Sequence, residues 1–111
     1  MPQAVNAGLA VGRRDEASRS DAVNWGAIDL NLLIVFDALM QDRNLTRAGR
    51  RLGLSQPATS HALSRLRHML HDDLFIRSPD GMQPTPRAQQ MAEPIRDALR
   101  VLRLTLEPED F

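Results

Sequence analysis

The chain has 111 residues, no cysteine, and 14 acidic against 14 basic side chains. That length allows one domain. The missing cysteine excludes a disulfide framework and a thiolate metal site. No apolar run approaches the ~18 residues that a membrane span needs. The first residues contain arginines but no apolar stretch of the secretory kind, so a cytoplasmic protein is expected.

Residues 1–27 are rich in Ala, Gly, Ser, Asn and Arg and show no sustained apolar period. They read as a disordered tail, because such a segment buries too little surface to offset its ordering entropy. Roughly 80 residues then remain for a core, a size at which only about 60% of the unfolded-chain surface is buried. Dimerisation would relieve that marginality.

A net charge of zero argues against a nucleic-acid partner, but its distribution argues for one. Residues 43–71 carry six arginines (Arg43, Arg47, Arg50, Arg51, Arg65, Arg67) and no acid, while acids outnumber bases on both sides. A polyanion responds to that local potential and not to the average. Genome composition is the plain account of why every cation is arginine.

Asp29 is placed to cap a first helix, in which Leu32, Leu33, Phe36, Leu39 and Met40 recur at helical spacing. Asn44 and Leu45 are read as its end. Thr46 is the expected cap of a short second helix, RAGRRL, with Ala48 and Leu52 inward. In that helix Gly49 permits close approach of another helix. Gly53 and Leu54 make the turn. Ser55 caps a third helix with Gln56 and Pro57 in its first turn, where proline costs nothing. This helix runs to Leu70, about 24 Å by its rise per residue. Its expected core stripe is Ala58, Ala62, Leu66 and Met69, flanked by Leu63 and Leu70. Gln56, Pro57, Ser60, Ser64, Arg67 and His71 fall opposite.

After Asp72-Asp73, LFIRS reads as a strand. Pro79-Asp80-Gly81 is a turn signal, and Met82-Gln83-Pro84 returns as a second strand. Thr85 caps the last helix, with Pro86 at its first position. There Ala88, Ala92, Ile95, Leu99, Leu102 and Leu106 are spaced 4, 3, 4, 3 and 4, a heptad seam of the kind that pairs with another helix. Pro94 should bend this helix without breaking it, because the seam continues in phase beyond it.

Two helices joined by a tight glycine turn present the second to the major groove, about 12 Å wide. Small residues at Ala58, Thr59 and Ser60 let the backbone approach. Gln56 can pair bidentately with adenine. Thr46, Ser55, Ser60 and Ser64 can hold phosphates, and Arg47, Arg65 and Arg67 add charge.

LTRAGRRLGLSQPATSHALSRLR followed by DDLFIRSPDGMQPTPRA resembles the N-terminal domain of LysR-type transcriptional regulators over about residues 28–106. The wing and last-helix motif LFIRSPDGMQPTPRA with AEPI is most similar to the branch containing nodulation and aromatic-degradation regulators. The resemblance implies a mainly α fold, a winged helix-turn-helix with a small β-hairpin wing and a long C-terminal linker and dimerisation helix. It divides the chain into a DNA-binding domain at 28–84, the pairing helix at 85–106 and the start of a hinge at 107–111. It implies a homodimer on an interrupted inverted repeat in double-stranded DNA, and possible tetramers in a full-length form. Base reading then falls to Gln56, Pro57 and their neighbours, phosphate contacts to Thr46, Ser55 and Ser60, and a minor-groove contact to Arg77.

Three departures stand out. His61 occupies a position where many relatives have arginine, so one DNA contact should be weaker or pH-dependent. Gly49 replaces a usual alanine, which should loosen the second helix. The family's large effector-binding domain is not represented, so a piece of a longer regulator is expected, with any small-molecule effector bound by that domain.

Plainer readings remain beside these. The arginines can be a solvated helix face, and Gln56, Ser60 and Ser64 ordinary exposed residues. The heptad can pack on its own domain, and Arg77 can guard a strand edge. His61 and His68 lie about 10 Å apart along a helix, too far to share an ion. His68 and His71 lack an evident third ligand, so neither metal nor cofactor is expected. Nothing has the spacing of a catalytic constellation. The competing function is a short winged-helix dimerisation module that acts through protein–protein contacts.

Overall fold

The computed structural model describes residues 23–108. In chain order it contains α1 (Leu30–Asp42), α2 (Leu45–Leu52), α3 (Gln56–Leu70), β1 (Phe75–Ser78), β2 (Gly81–Pro84) and α4 (Pro86–Leu106). Most of the expected disordered tail, residues 1–22, lies outside the described residues, as do residues 109–111 of the expected hinge. The last part of that tail holds a 3-10 turn at Trp25–Ala27, where the Asn24 side chain accepts from the Gly26 N–H.

Local chemistry explains most helix limits. Asp29, Ser55 and Thr85 cap α1, α3 and α4 by accepting from Asn31, Ala58 and Ala88 N–H groups, which otherwise have no intrahelical partner. Proline stands in the first turn of both α3 and α4. One cap differs from expectation. Asn44, not Thr46, caps α2, its Oδ1 accepting from Arg47 N–H at 2.8 Å. Leu45 therefore opens the helix and packs against the core, which a start after Thr46 would not allow.

The core lies where α1 crosses α3 and the base of the hairpin. Phe36, Leu39, Leu66, Leu74 and Phe75 are wholly or almost wholly buried. Each such side chain contributes about 1.5–3 kcal/mol by leaving water. Phe36 and Phe75 tilt against each other with ring centroids 6.1 Å apart.

The α3 stripe is rotated from expectation at its start. Ala58 is exposed, and Thr59 points inward and is fully buried. Its hydroxyl donates to the Ser55 carbonyl at 2.8 Å, so the buried oxygen is satisfied. Thr59 sits against Gly49. A Cβ at Gly49 would collide with the threonine hydroxyl and lie 3.2 Å from the Leu54 carbonyl. The glycine therefore sets the close approach of α2 to α3. Gly53 then ends α2 in a left-handed conformation with φ 72°.

The hairpin is antiparallel, pairing Phe75 with Pro84, Ile76 with Gln83, Arg77 with Met82 and Ser78 with Gly81. Its base is held by Asp72, whose carboxylate accepts from Leu74 N–H at 2.9 Å and Thr85 Oγ1 at 2.6 Å. Leu74 needs that support. It is fully buried with φ 63°, a left-handed conformation costly for a branched residue. From α3, the Arg67 guanidinium donates to the carbonyls of Asp73 and Phe75.

Helix α4 passes Pro94 without interruption. Its first half packs on the domain through Ala88, Met91 and Ile95. An Arg96–Asp37 ion pair at 3.1 Å ties it to α1. Beyond that, Val101, Leu102, Leu104 and Leu106 are exposed.

Candidate nucleic-acid interface

Helices α2 and α3 with their glycine turn present the outer side of α3 to solvent. Gln56, Pro57, Ala58, Ser60, His61 and Ser64 are all exposed there. The inner side is held by Thr59, Ala62, Leu63 and Leu66. The Ser55 hydroxyl is already engaged as the α3 cap.

The arginines of the acid-free segment separate into two groups. Arg51 makes a two-point ion pair with Asp42, at 2.8 and 3.0 Å, which joins the ends of α1 and α2. This contact holds the Asp42 carboxyl below its ordinary range and raises the Arg51 guanidinium, chiefly through the shared hydrogen bond. Arg65 pairs with Asp29 at 3.2 Å. Arg67, read from the sequence as an outward charge, is turned to the backbone at the base of the hairpin. Arg43, Arg47, Arg50 and Arg77 make no ion pair among the described residues.

Several of the expected site residues line two hollows. Thr46, Gln56 and Arg77 meet in a cleft between the start of α2, the start of α3 and the hairpin. Ser64 and Arg65 instead border a second hollow with Asp29, His68 and His71. Arg47 is exposed on α2. Arg43 also lines the first cleft, although the sequence offered it only as one member of a basic run. Its position directly before the Asn44 cap was the available signal. Among the described residues, no group of three or more His, Asp or Glu side chains is placed to hold a metal ion. No described helix is long and apolar enough to cross a membrane.

The expected dimerisation seam is also divided. Ala88 is sealed in its own domain's core, whereas Ala92, Ile95 and Leu99 are partly covered. Leu102 and Leu106 are exposed, and with Leu99 they face Leu30 and Ile34 of α1 across an apolar groove.

A glycine-turned helix pair, a two-stranded hairpin and a long following helix define a winged helix-turn-helix module, here with an acid-free basic segment. Residues 30–89 match the family model described as bacterial regulatory helix-turn-helix protein, lysR family. The chain belongs to the LysR family. It is 53% identical over 83 residues to the HTH-type transcriptional activator NagR of a Ralstonia species, covering 75% of this chain and 28% of that protein. It is 51% identical over 88 residues to nodulation protein D 3 of Rhizobium leguminosarum bv. phaseoli, covering 79% of this chain and 29% of that protein. Both fall in the branch indicated by the wing and last-helix motif. A probable transcriptional regulator from Pseudomonas aeruginosa has a crystal structure matching with TM-score 0.70 and 51% identity, over 72% of this chain and 27% of that one. The DNA-binding domain of CbnR, crystallised with DNA, matches with TM-score 0.64 and 26% identity, over 70% of this chain and 90% of that one. The chain thus spans under a third of the length of these curated relatives.

Proposed function

We propose that this chain is the sequence-specific, double-stranded-DNA-binding part of a transcription regulator. It would place α3 in the major groove and bind an interrupted inverted repeat as a homodimer. The observation that carries this reading is the outer side of α3. Its Gln56, Ser60 and Ser64 are exposed and polar within the acid-free segment 43–71, and its opposite side is locked in the core. The likeness to a domain crystallised with DNA supports it.

In this reading Gln56, with Pro57 and Ala58 beside it, meets base edges. Thr46, Arg47, Ser55, Ser60 and His61 hold the backbone, and Arg77 reaches the neighbouring minor groove. Arg65 contributes by exchanging Asp29 for a phosphate. A half-exposed ion pair of that kind is worth only about 0–1 kcal/mol, so exchange is easy. Arg67 acts by fixing the hairpin against α3. Leu99, Leu102 and Leu106 supply the pairing surface, and Ala88, Ala92 and Ile95 anchor the helix that carries it. Residues 28–84 would then read DNA, 85–106 would set the spacing of two reading helices, and 107–111 would begin a hinge. Tetramers and effector response would belong to a full-length form. The place of action is the nucleoid in the cytoplasm, and no catalysis is involved.

The test is selection from a random duplex pool at two salt concentrations. Enrichment of an inverted repeat is expected. Salt-sensitive binding without enrichment would leave only a non-specific polycation. The exposed apolar end of α4 favours one second reading, a dimerisation module that acts through protein contacts alone. Absence of duplex binding at low salt, with self-association intact, would select it.

A further inference from the structure

We propose that the cleft between α2, α3 and the wing is a clamp for one backbone phosphate, and that Arg43 is its principal contact. The proposal rests on the DNA-binding reading above and adds a residue and a site to it.

The cleft, about 300 Å³, is lined by Arg43, Asn44, Thr46, Gln56, Arg77 and Ser78 among others. Among the described residues, two arginines line it and no acidic residue does. Asp80, at the tip of the same hairpin, is not part of its lining. Neither Arg43 nor Arg77 makes an ion pair among the described residues, whereas Arg51, Arg65 and Arg96 on other faces are each paired with an aspartate. In a chain with as many acids as bases, two unpaired cations on a concave surface focus positive potential there. Guanidinium groups beside amide and hydroxyl donors form the donor set that phosphate oxygens accept from.

The two arginines are also held relative to each other. Arg43 N–H donates to the Leu39 carbonyl at 2.7 Å, and its own carbonyl accepts from Met82 N–H at 3.3 Å. Met82 is the residue paired with Arg77 in the hairpin. One wing residue thus ties the backbone of the first arginine and pairs with the second, so the two backbones are held in fixed relation. Arg43 takes a left-handed conformation with φ 47°. Glycine or asparagine would hold that conformation at lower cost. The exposed arginine gains no core packing in return. A phosphate held here would fasten the helix pair and the wing to the same strand, so that Gln56 and Arg77 read neighbouring grooves in fixed register.

The test uses the full chain, a duplex it selects, and affinity measured across a salt series. Arg43→Asn keeps a residue that tolerates the left-handed conformation, so its melting temperature should match or exceed wild type. It should bind about tenfold more weakly at low salt. The slope of log K against log salt should fall by roughly one, alike on all sequences. Arg43→Lys should keep the slope. Combining Arg43→Asn with Arg77→Asn should cost less than the two single losses multiplied, because the phosphate held by Arg43 also fixes the wing from which Arg77 reaches the minor groove. Should Arg43→Asn fail to fold, Arg43→Gly, which the left-handed backbone also accepts, must lower the slope by the same amount. An unchanged slope and affinity in Arg43→Asn, with wild type binding normally, overturns the clamp and leaves the DNA-binding reading intact. A loss confined to some sequences overturns the phosphate assignment. Failure of wild type itself to bind duplex fails the underlying reading, and the clamp with it.

Discussion

The outer side of α3 and the far end of α4 are both exposed, yet they are made of opposite materials. Helix α3 shows glutamine, serine and histidine to water, a surface that is content in solvent and complementary to a polyanion. The end of α4 shows Val101, Leu102, Leu104 and Leu106, each at least 42% exposed. Single exposed apolar residues are ordinary, but a contiguous set marks an interaction surface. The two also differ in anchorage. Helix α3 is held along its length by core contacts and, near its end, by Arg67. Helix α4 is held only in its first half, by Ala88, Met91, Ile95 and the Arg96–Asp37 pair. One element is anchored so as to present a fixed pattern of groups, and the other leaves its apolar end exposed.

The strongest test of that contrast is to make the α4 end as polar as α3. Changing Leu102→Glu with Leu106→Glu should weaken self-association at least about 100-fold, roughly 2.8 kcal/mol, by sedimentation across a concentration series. The midpoint of thermal unfolding, measured on the monomer, should stay close to wild type, because neither side chain belongs to the core. Binding to an inverted repeat should revert to that of a single half-site. Unchanged association would place the pairing surface elsewhere.

A smaller effect is expected where α3 meets α2. The Gly49→Ala change puts a methyl group against the Thr59 hydroxyl and near the Leu54 carbonyl. Overpacking of this kind costs about 1–3 kcal/mol. Thr59→Ala in the same chain should recover part of the loss, and chemical denaturation of the four forms measures the coupling. Equal cost of Gly49→Ala in both backgrounds would mean that the strain falls on the Leu54 carbonyl and the Cβ at position 59, which both backgrounds keep, and not on the hydroxyl.

That contact also shows where the sequence stopped being legible. Caps at Asp29, Ser55 and Thr85 were readable because a capping residue acts on its own next turn. The second helix offered two capping residues, Asn44 and Thr46. The choice between them was made by Leu45, whose place in the core is a tertiary fact. Ala58 and Thr59 differ by one step on the wheel. Apolarity favoured alanine, but the space beside Gly49 and the Ser55 carbonyl drew threonine inward. In the site, the exposed α3 residues followed from periodicity. The engagements of Arg51, Arg65 and Arg67 did not, since each partner lies on another element. Arg43 was legible only as one of a basic run for the same reason: Arg77, with which it lines the cleft, is brought there by the hairpin. Local periodicity shows which side of a helix is wet, but not which wet charges remain free.

The smallest expected effect concerns the acid that steadies the wing. The Thr85 hydroxyl first, and the Leu74 N–H after it, hold the Asp72 carboxyl below its ordinary value of 3.8. Folding thus lowers this pKa. The stabilisation is complete above the unfolded-state value and is lost as pH falls through the lower folded-state value. Asp72→Asn leaves an amide that accepts these bonds more weakly and does not titrate. Wild type should therefore melt above the variant near neutrality. The gap should stay constant down to about pH 4 and close below it. Asp42, held low by Arg51, titrates in both proteins and so drops out of the difference. A gap independent of pH down to acid unfolding would mean that Asp72 acts by shape and not by charge. The same pair of proteins ties this corner to the reading face. Leu74 keeps its left-handed backbone through Asp72, and the strand bearing Arg77 starts at the next residue. Loosening that corner should weaken duplex binding slightly while leaving Gln56-dependent sequence preference unchanged, because α3 has its own anchorage.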